Sequence, residues 1–126
     1  MDQRELARAV AERTALSREE AADISWAVLE GLADQLSEGE ARRLATYLPD
    51  MAAELHARRR PKKEARPIRL HEFLKQVSDR TGLNDRDTRA GAGAVLMTVR
   101  EAAGEEEYGH LLGQLPAEYA GISETA

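Results

Sequence analysis

Seven cations fall within fourteen consecutive residues, His56-Ala-Arg-Arg-Arg-Pro-Lys-Lys-Glu-Ala-Arg-Pro-Ile-Arg69, against a single acid. Arg58, Arg59, Arg60, Lys62, Lys63, Arg66 and Arg69 have the chemistry to neutralise phosphates and release counterions, which gives sequence-independent, salt-sensitive polyanion binding. The segment holds no aromatic side chain on which a base could stack. Pro61 and Pro67 lie inside it; proline lacks the backbone donor and bars helical geometry from the residue before it, so an extended or irregular linker is expected rather than a groove-reading helix. Outside the segment eleven basic residues face twenty-two acidic ones, a body that repels nucleic acid. The same cations therefore also read as a solvated connector whose arginines pair with acids on its own helices or on a neighbouring molecule.

Other reactive residue types lack the spacing that chemistry needs. His56, His71 and His110 show no paired spacing for zinc. There is no cysteine, so disulfides and thiolate metal sites are excluded. Glu105-Glu106-Glu107 places carboxylates on successive helical positions, which point in different directions, and acids in a first turn answer the helix dipole. Gly91-Ala92-Gly93 lacks the third glycine and the preceding strand of a dinucleotide loop. Ser17 and Ser37 stand where caps are needed and have no base arranged beside them. Trp26 is solitary and fits core or interface. No catalytic residue, cofactor or metal is expected, and the chain reads as non-enzymatic.

The elements that must position these residues are written twice. Residues 4–55 align without a gap on residues 71–122 at a constant offset of 67, with fourteen identical pairs that include Val10/Val77, Arg13/Arg80, Leu29/Leu96, Leu44/Leu111 and Pro49/Pro116. At 126 residues, a half of this kind has a marginal core alone, and packing the halves together is the physical solution. With 33% charged and 42% hydrophobic residues the chain is expected to fold, and with 4% aromatic content Leu, Val and Ala must fill the core. No apolar run approaches the roughly 18 residues of a membrane span, and Met-Asp-Gln-Arg-Glu at the start lacks the apolar centre of a signal peptide. A cytoplasmic protein is expected; the abundance of arginine and alanine suggests a GC-rich bacterial source.

Each repeat reads as helices throughout. Leu6, Ala9 and Val10 mark a first short helix ending near Thr14-Ala15. Ser17-Arg-Glu-Glu20 and Ser37-Glu-Gly-Glu40 both have the spacing of a capping box. Between them Ala21, Ile24, Val28, Leu32 and Leu36 are spaced for one buried face. Leu48-Pro49 predicts a corner into a fourth short helix through Met51 and Leu55. In the second repeat Phe73, Leu74 and Val77 mark the first helix, Gly82 ends it, Asn84 caps the next, a helix follows over about 105–113, and Leu115-Pro116 repeats the corner. Gly91 and Gly93 stand where the first repeat has Ile24 and Trp26. Glycine inside a helix costs about 1 kcal/mol relative to alanine. Either the long helices approach closely there, with Ile24 or Trp26 filling the space opposite, or the glycines mark a tolerant exposed face.

Tandem halves, each opening like His71-Glu-Phe-Leu-Lys-Gln-Val77, continuing through Arg-Thr-Gly-Leu83 and closing on Gln-Leu-Pro116, resemble a bacterial family catalogued as domain of unknown function 2267 over residues 4–123. The resemblance implies an all-helical fold and supplies no catalytic residue. Separately, Met1 to Ser17, continuing to Ala27-Val-Leu29 and Leu36-Ser-Glu-Gly39, is similar to the helical hairpin of bacterial histone-like nucleoid proteins, in which two hairpins form a dimeric base. That resemblance implies a single-chain imitation of the base with the two long helices in contact. It stops at Gly39, after which Glu-Ala-Arg-Arg-Leu-Ala-Thr-Tyr-Leu-Pro49 is helix and corner rather than a minor-groove β-arm.

The expected architecture is all-α: two pseudo-symmetric repeats of about four short helices on a shared core, with repeat 1 over residues 1–57, a basic linker over 58–69, repeat 2 over 70–123 and a tail at 124–126. The expected role is a helical interaction or scaffold protein with an unidentified protein partner or self-association, and with nucleic-acid binding through the linker as the alternative. An interaction role predicts an exposed apolar patch near Tyr47, Met51 or Tyr119.

Overall fold

Asp2, Ser17, Ser37 and Asn84 each accept, through a side-chain oxygen, from a backbone amide three residues on, at 2.8–3.2 Å, and each starts a helix. The computed structural model describes residues 1–58 and 64–124. Its helices are α1 (Gln3–Arg13), α2 (Arg18–Gln35), α3 (Glu38–Thr46), α4 (Ala52–Arg58), α5 (Leu70–Thr81), α6 (Asp85–Ala103), α7 (Glu105–Gly113) and α8 (Tyr119–Glu124), with a 3-10 turn at Pro49–Met51 before α4. The fold is all-α. The starts of α1, α2 and α3 lie 67 residues before those of α5, α6 and α7, the offset at which the sequence repeats.

Local chemistry sets the boundaries. At Ser17 the box is complete: its hydroxyl takes the Glu20 amide at 3.1 Å and Glu20 returns to the Ser17 amide at 2.9 Å. At Ser37 the expected second box is only half made, because the Glu40 carboxylate faces His110 instead. Gly82 closes α5 with φ +76°, a left-handed conformation that favours glycine. Leu48, kept out of helical geometry before the proline that follows, makes the corner into the 3-10 turn. Arg58 lies in α4 rather than in the linker.

The two long helices, α2 and α6, form the centre and touch each other. Around them the first helix of each half crosses to the other half: α1 packs on α2 and α6, and α5 packs on α6 and α2. That arrangement explains why α2 buries far more than the single stripe expected of it: Trp26, Ala27, Leu29, Gly31 and Ala33 are buried along with Ile24, Val28 and Leu32. Burying each large aliphatic side chain contributes about 1.5–3 kcal/mol, and the resulting cluster runs continuously from Leu6 to Ile122.

Ile24 and Gly91, aligned with each other by the repeat, meet where α2 crosses α6. A Cβ on Gly91 would lie 2.4 Å from Ile24 Cδ1 and 3.1 Å from Leu16 Cδ1. Gly31 does the same for Phe73, whose Cε1 would stand 2.7 Å from an added Cβ. Ion pairs cross between the halves in matched couples. Arg13 pairs with Glu101 and, 67 residues on, Arg80 reaches Asp34 at 3.9 Å; Arg43 pairs with Glu107 at 2.9 Å and His110 faces Glu40 at 2.9 Å.

Candidate functional site

Trp26 is where the first half departs most from the second. Its indole Nε1 donates to Gln3 Oε1 at 3.2 Å, which ties α2 to α1. The guanidinium of Arg58 lies over the ring at 4.2 Å, a cation–π contact, and is steered there by Glu54 at 2.9 Å and Glu30 at 3.9 Å. Trp26 thus fills the space between α2 and α4. On its other side opens a groove of about 520 Å³ between α1, α2 and the turn before α4. Ala7, Ala22, Trp26 and Met51 form its apolar floor, with Arg4, Arg18 and Glu19 at its mouth. A second hollow of about 370 Å³ adjoins it past Asp2, Asp50 and Glu54.

The polar atoms in this groove are engaged by the fold. Ser25 Oγ donates to the Ala21 carbonyl at 2.7 Å, and Gln3 Oε1 receives the indole. Asp2 caps α1, Asp50 holds the Met1 amine at 3.2 Å and Glu54 holds Arg58. No nucleophile stands beside a base in its lining. Among the described residues no three of His, Asp and Glu gather to hold a metal ion.

The basic segment is divided. Arg59, Arg60, Lys62 and Lys63 lie outside the described residues. Arg58 is committed to Trp26, Glu54 and Glu30, and Arg69 to Glu118 at 3.2 Å. Arg66 has an exposed side chain, while its amide donates to the Gln35 carbonyl at 3.0 Å. The remainder of the connector is strapped down by the same glutamine: the Ile68 amide donates to Gln35 Oε1 at 3.0 Å, and the Tyr119 hydroxyl lies 3.1 Å from that oxygen and 2.8 Å from the Ile68 carbonyl. Burial pushes the Tyr119 hydroxyl up to about 12.

Of the packing positions read from sequence, Ile24 and Gly91 are brought together and Gly93 is buried in α6. Trp26 turns away from them toward α1 and α4, because two residues along a helix is more than half a turn. The apolar patch expected near Tyr47, Met51 or Tyr119 is absent: Met51 and Tyr119 are 2% and 0% exposed, Tyr47 is half-buried, and no large hydrophobic side chain is exposed among the described residues. Met51 reaches the surface only as floor of the groove.

Sequence reasoning missed the clasp between α3 and α7. Glu107 accepts from Arg43 Nε and Nη2 at 2.9 and 3.0 Å and from the Tyr47 hydroxyl at 2.6 Å. Those bonds, first Arg43 and then Tyr47, hold its carboxyl down at about 2, whereas burial and the Glu107 charge raise Tyr47. The signal was available in the repeat, since Glu40/Glu107 and Arg43/His110 are aligned pairs of complementary charge. Gly31 carried the same signal as Gly91, a glycine inside a helix, whereas Gln35 had none, because a polar residue near a helix end does not break the pattern of α2.

Helix composition alone does not name a family, but the order of elements and the motifs that carry them do. Residues 3–122 match a family described as an uncharacterized conserved protein, DUF2267. No curated protein matches the chain. The match takes in every helix except the last residues of α8, and this protein belongs to the DUF2267 family.

Proposed function

We propose that this protein is a non-enzymatic interaction module, working in the cytoplasm, that binds a protein partner through the groove beside Trp26. One observation carries the reading: a groove of about 520 Å³ with an apolar floor and charged mouth, within the size range of binding pockets, on a surface otherwise without exposed large hydrophobics among the described residues. The engagement of Ser25, Gln3, Asp2, Asp50 and Glu54 by the fold supports binding over catalysis, since a general acid or base must be free to exchange its proton. No described helix is long and apolar enough to cross a membrane.

The test fills the groove and watches binding. A photo-crosslinking residue at Ala22 identifies partners in cell extract, and the identified protein, purified, is titrated against wild type and Ala22→Trp. Ala22→Trp is expected to abolish binding with an unchanged circular-dichroism spectrum. Undiminished binding by that variant, or DNA-duplex binding that collapses with salt and survives Ala22→Trp, overturns the reading and returns attention to the basic connector.

A further inference from the structure

Two helix starts in the first half carry the same Ser-x-x-Glu signal and use it differently. At Ser17 the Glu20 carboxylate returns to the serine amide at 2.9 Å. At Ser37 the hydroxyl takes the Glu40 amide at 3.2 Å, but the Glu40 carboxylate is turned away, its two oxygens 3.1 and 2.9 Å from His110 Nε2. The Ser37 amide has no partner among the described residues. Glu40 therefore has two destinations: the amide that starts its own helix, and an imidazole in the other half of the molecule. Ser17 shows which one a glutamate at this spacing takes when no histidine competes.

The competitor differs from its repeat counterpart in one respect. Arg43, which aligns with His110, holds Glu107 at 2.9 Å with a guanidinium that stays charged throughout, whereas histidine is the side chain whose charge changes between about pH 5 and 8. A protonated ring gives Glu40 an ion pair. A neutral ring gives it a bond to a neutral N–H, no better than the Ser37 amide offers, and that amide adds the positive end of the α3 dipole. The surrounding charges are already matched. On α3, Arg43 is held by Glu107 and Arg42 lies 3.6 Å from Glu38; on α7, Glu106 stands one turn before the ring and Glu107 is bound by Arg43 and Tyr47. From α6, packed along α7, Arg100 is turned to Glu105 at 2.6 Å and to the Tyr108 ring. The Glu40 and His110 side chains are 26% and 34% exposed, so solvent protons reach the ring.

We infer that Glu40 and His110 form a proton-operated switch at the seam between the two halves. With the ring protonated, Glu40 ties α3 to α7. With the ring neutral, Glu40 swings back to the Ser37 amide, completes the box that Ser17 already shows, and leaves Glu107, with Arg43 and Tyr47, to hold α3 and α7 together at this edge. The cross-half tie is thus present below the histidine range and lost as pH rises through it, while the start of α3 is strengthened in exchange. The inference does not rest on the groove beside Trp26.

The test follows amide and imidazole chemical shifts of the full-length protein from about pH 5 to 8. As pH rises, the Ser37 amide proton is expected to move downfield, toward the shift of the capped Ser17 amide, with the same midpoint as the His110 ring. The Ser17 amide is expected to stay in place. In His110→Arg the tie is permanent and the Ser37 amide keeps its acid-side shift throughout; in His110→Gln, which carries no charge, it keeps its alkaline-side shift. His56 and His71 remain in both variants and report any effect of titration elsewhere. A Ser37 amide that holds one shift across the range in wild type, that titrates with a midpoint different from that of the His110 ring, or that moves in His110→Arg as it does in wild type overturns the inference. The first two of these are read on wild type alone, so they decide the matter even where a variant fails to fold.

Discussion

Trp26 and Gly93 occupy the same position in the two halves, and the helices that follow them lie differently. In the second half α8 packs along α6 more extensively than α4 does along α2. In the first half Arg58 of α4 stacks on the Trp26 indole, and the groove lies beside it. The difference teaches that two halves written from one repeat can bury the same position of the last helix, Leu55 in α4 and Ile122 in α8, and still differ in how closely that helix lies on its long neighbour.

The sharpest way to break this comparison is to write one half's residue into the other. Gly93→Trp is expected to destabilise the protein by about 3 kcal/mol, since Gly93 is buried in α6 and overpacking forces backbone shifts. Urea unfolding measures it, and a cost below about 1 kcal/mol would mean that the second half makes room for an indole at this position as the first half does. Ile24→Ala follows at about 2–3 kcal/mol, because its side chain fills the hollow over Gly91 at the crossing of the long helices. Gly91→Ala alone pushes a Cβ against Ile24 and destabilises less, and in Ile24→Ala the same change is expected to be stabilising. A double-mutant cycle reads that reversal directly, and additivity would show that the two positions do not meet.

Tyr119 tests the second half by pH. Its hydroxyl is raised to about 12 by burial, from an ordinary value of 10. A group whose native-state value is raised contributes stability that is fully present below pH 10 and is lost as pH rises through about 12. The loss is on the order of 2 kcal/mol for a shift of this size. Tyr119→Phe is expected to remove that alkaline slope while lowering stability at neutral pH, because Gln35 and the Ile68 carbonyl lose their partner. Ala52, the aligned residue in the first half, gives that half no counterpart to this slope.

How much of this was legible in the sequence depends on whether the cause was local. The caps at Ser17 and Asn84, the stop at Gly82 and the corner at Leu48-Pro49 were readable because each is set by one residue acting on its own backbone. The meeting of Ile24 with Gly91 was one of two readings left open, and the repeat pointed to it because aligned positions on two crossing helices are natural partners. The incomplete box at Ser37 shows where local reasoning ends: Glu40 has the right spacing to cap but a better charged partner in His110, seventy residues away. The groove was not legible at all. Met51, expected on an exposed patch, instead forms its floor, and nothing in the spacing of Ala7, Ala22 and Trp26 says that a neighbouring helix stands off from them. The strap at Gln35 was hidden for the same reason, since a buried amide that binds two segments looks in sequence like any polar helix residue.

The clasp between α3 and α7 sharpens the comparison at its smallest scale, because it sets the same bond side by side in two chemical versions. Glu107 faces an arginine and Glu40, its aligned counterpart, faces a histidine. Arg43 stays charged at every pH at which the protein folds, whereas a histidine pair is ionic only when the ring is protonated. The Glu107 carboxyl, depressed to about 2 by Arg43 and Tyr47, contributes stability that is present above the ordinary carboxylate value and lost as pH falls through about 2. Glu107→Gln is therefore expected to be less stable than wild type at pH 6 and to converge on it toward pH 2, with a small difference throughout because the pair is partly exposed. His110→Arg should give the second pair the character of the first, so that a change at Glu40 acquires the same acid-range profile as a change at Glu107. If thermal unfolding of His110→Arg/Glu40→Gln shows no such profile, the two ends of the clasp are not equivalent, and the matched sequence spacing of Glu40, Arg43, Glu107 and His110 does not by itself make them so.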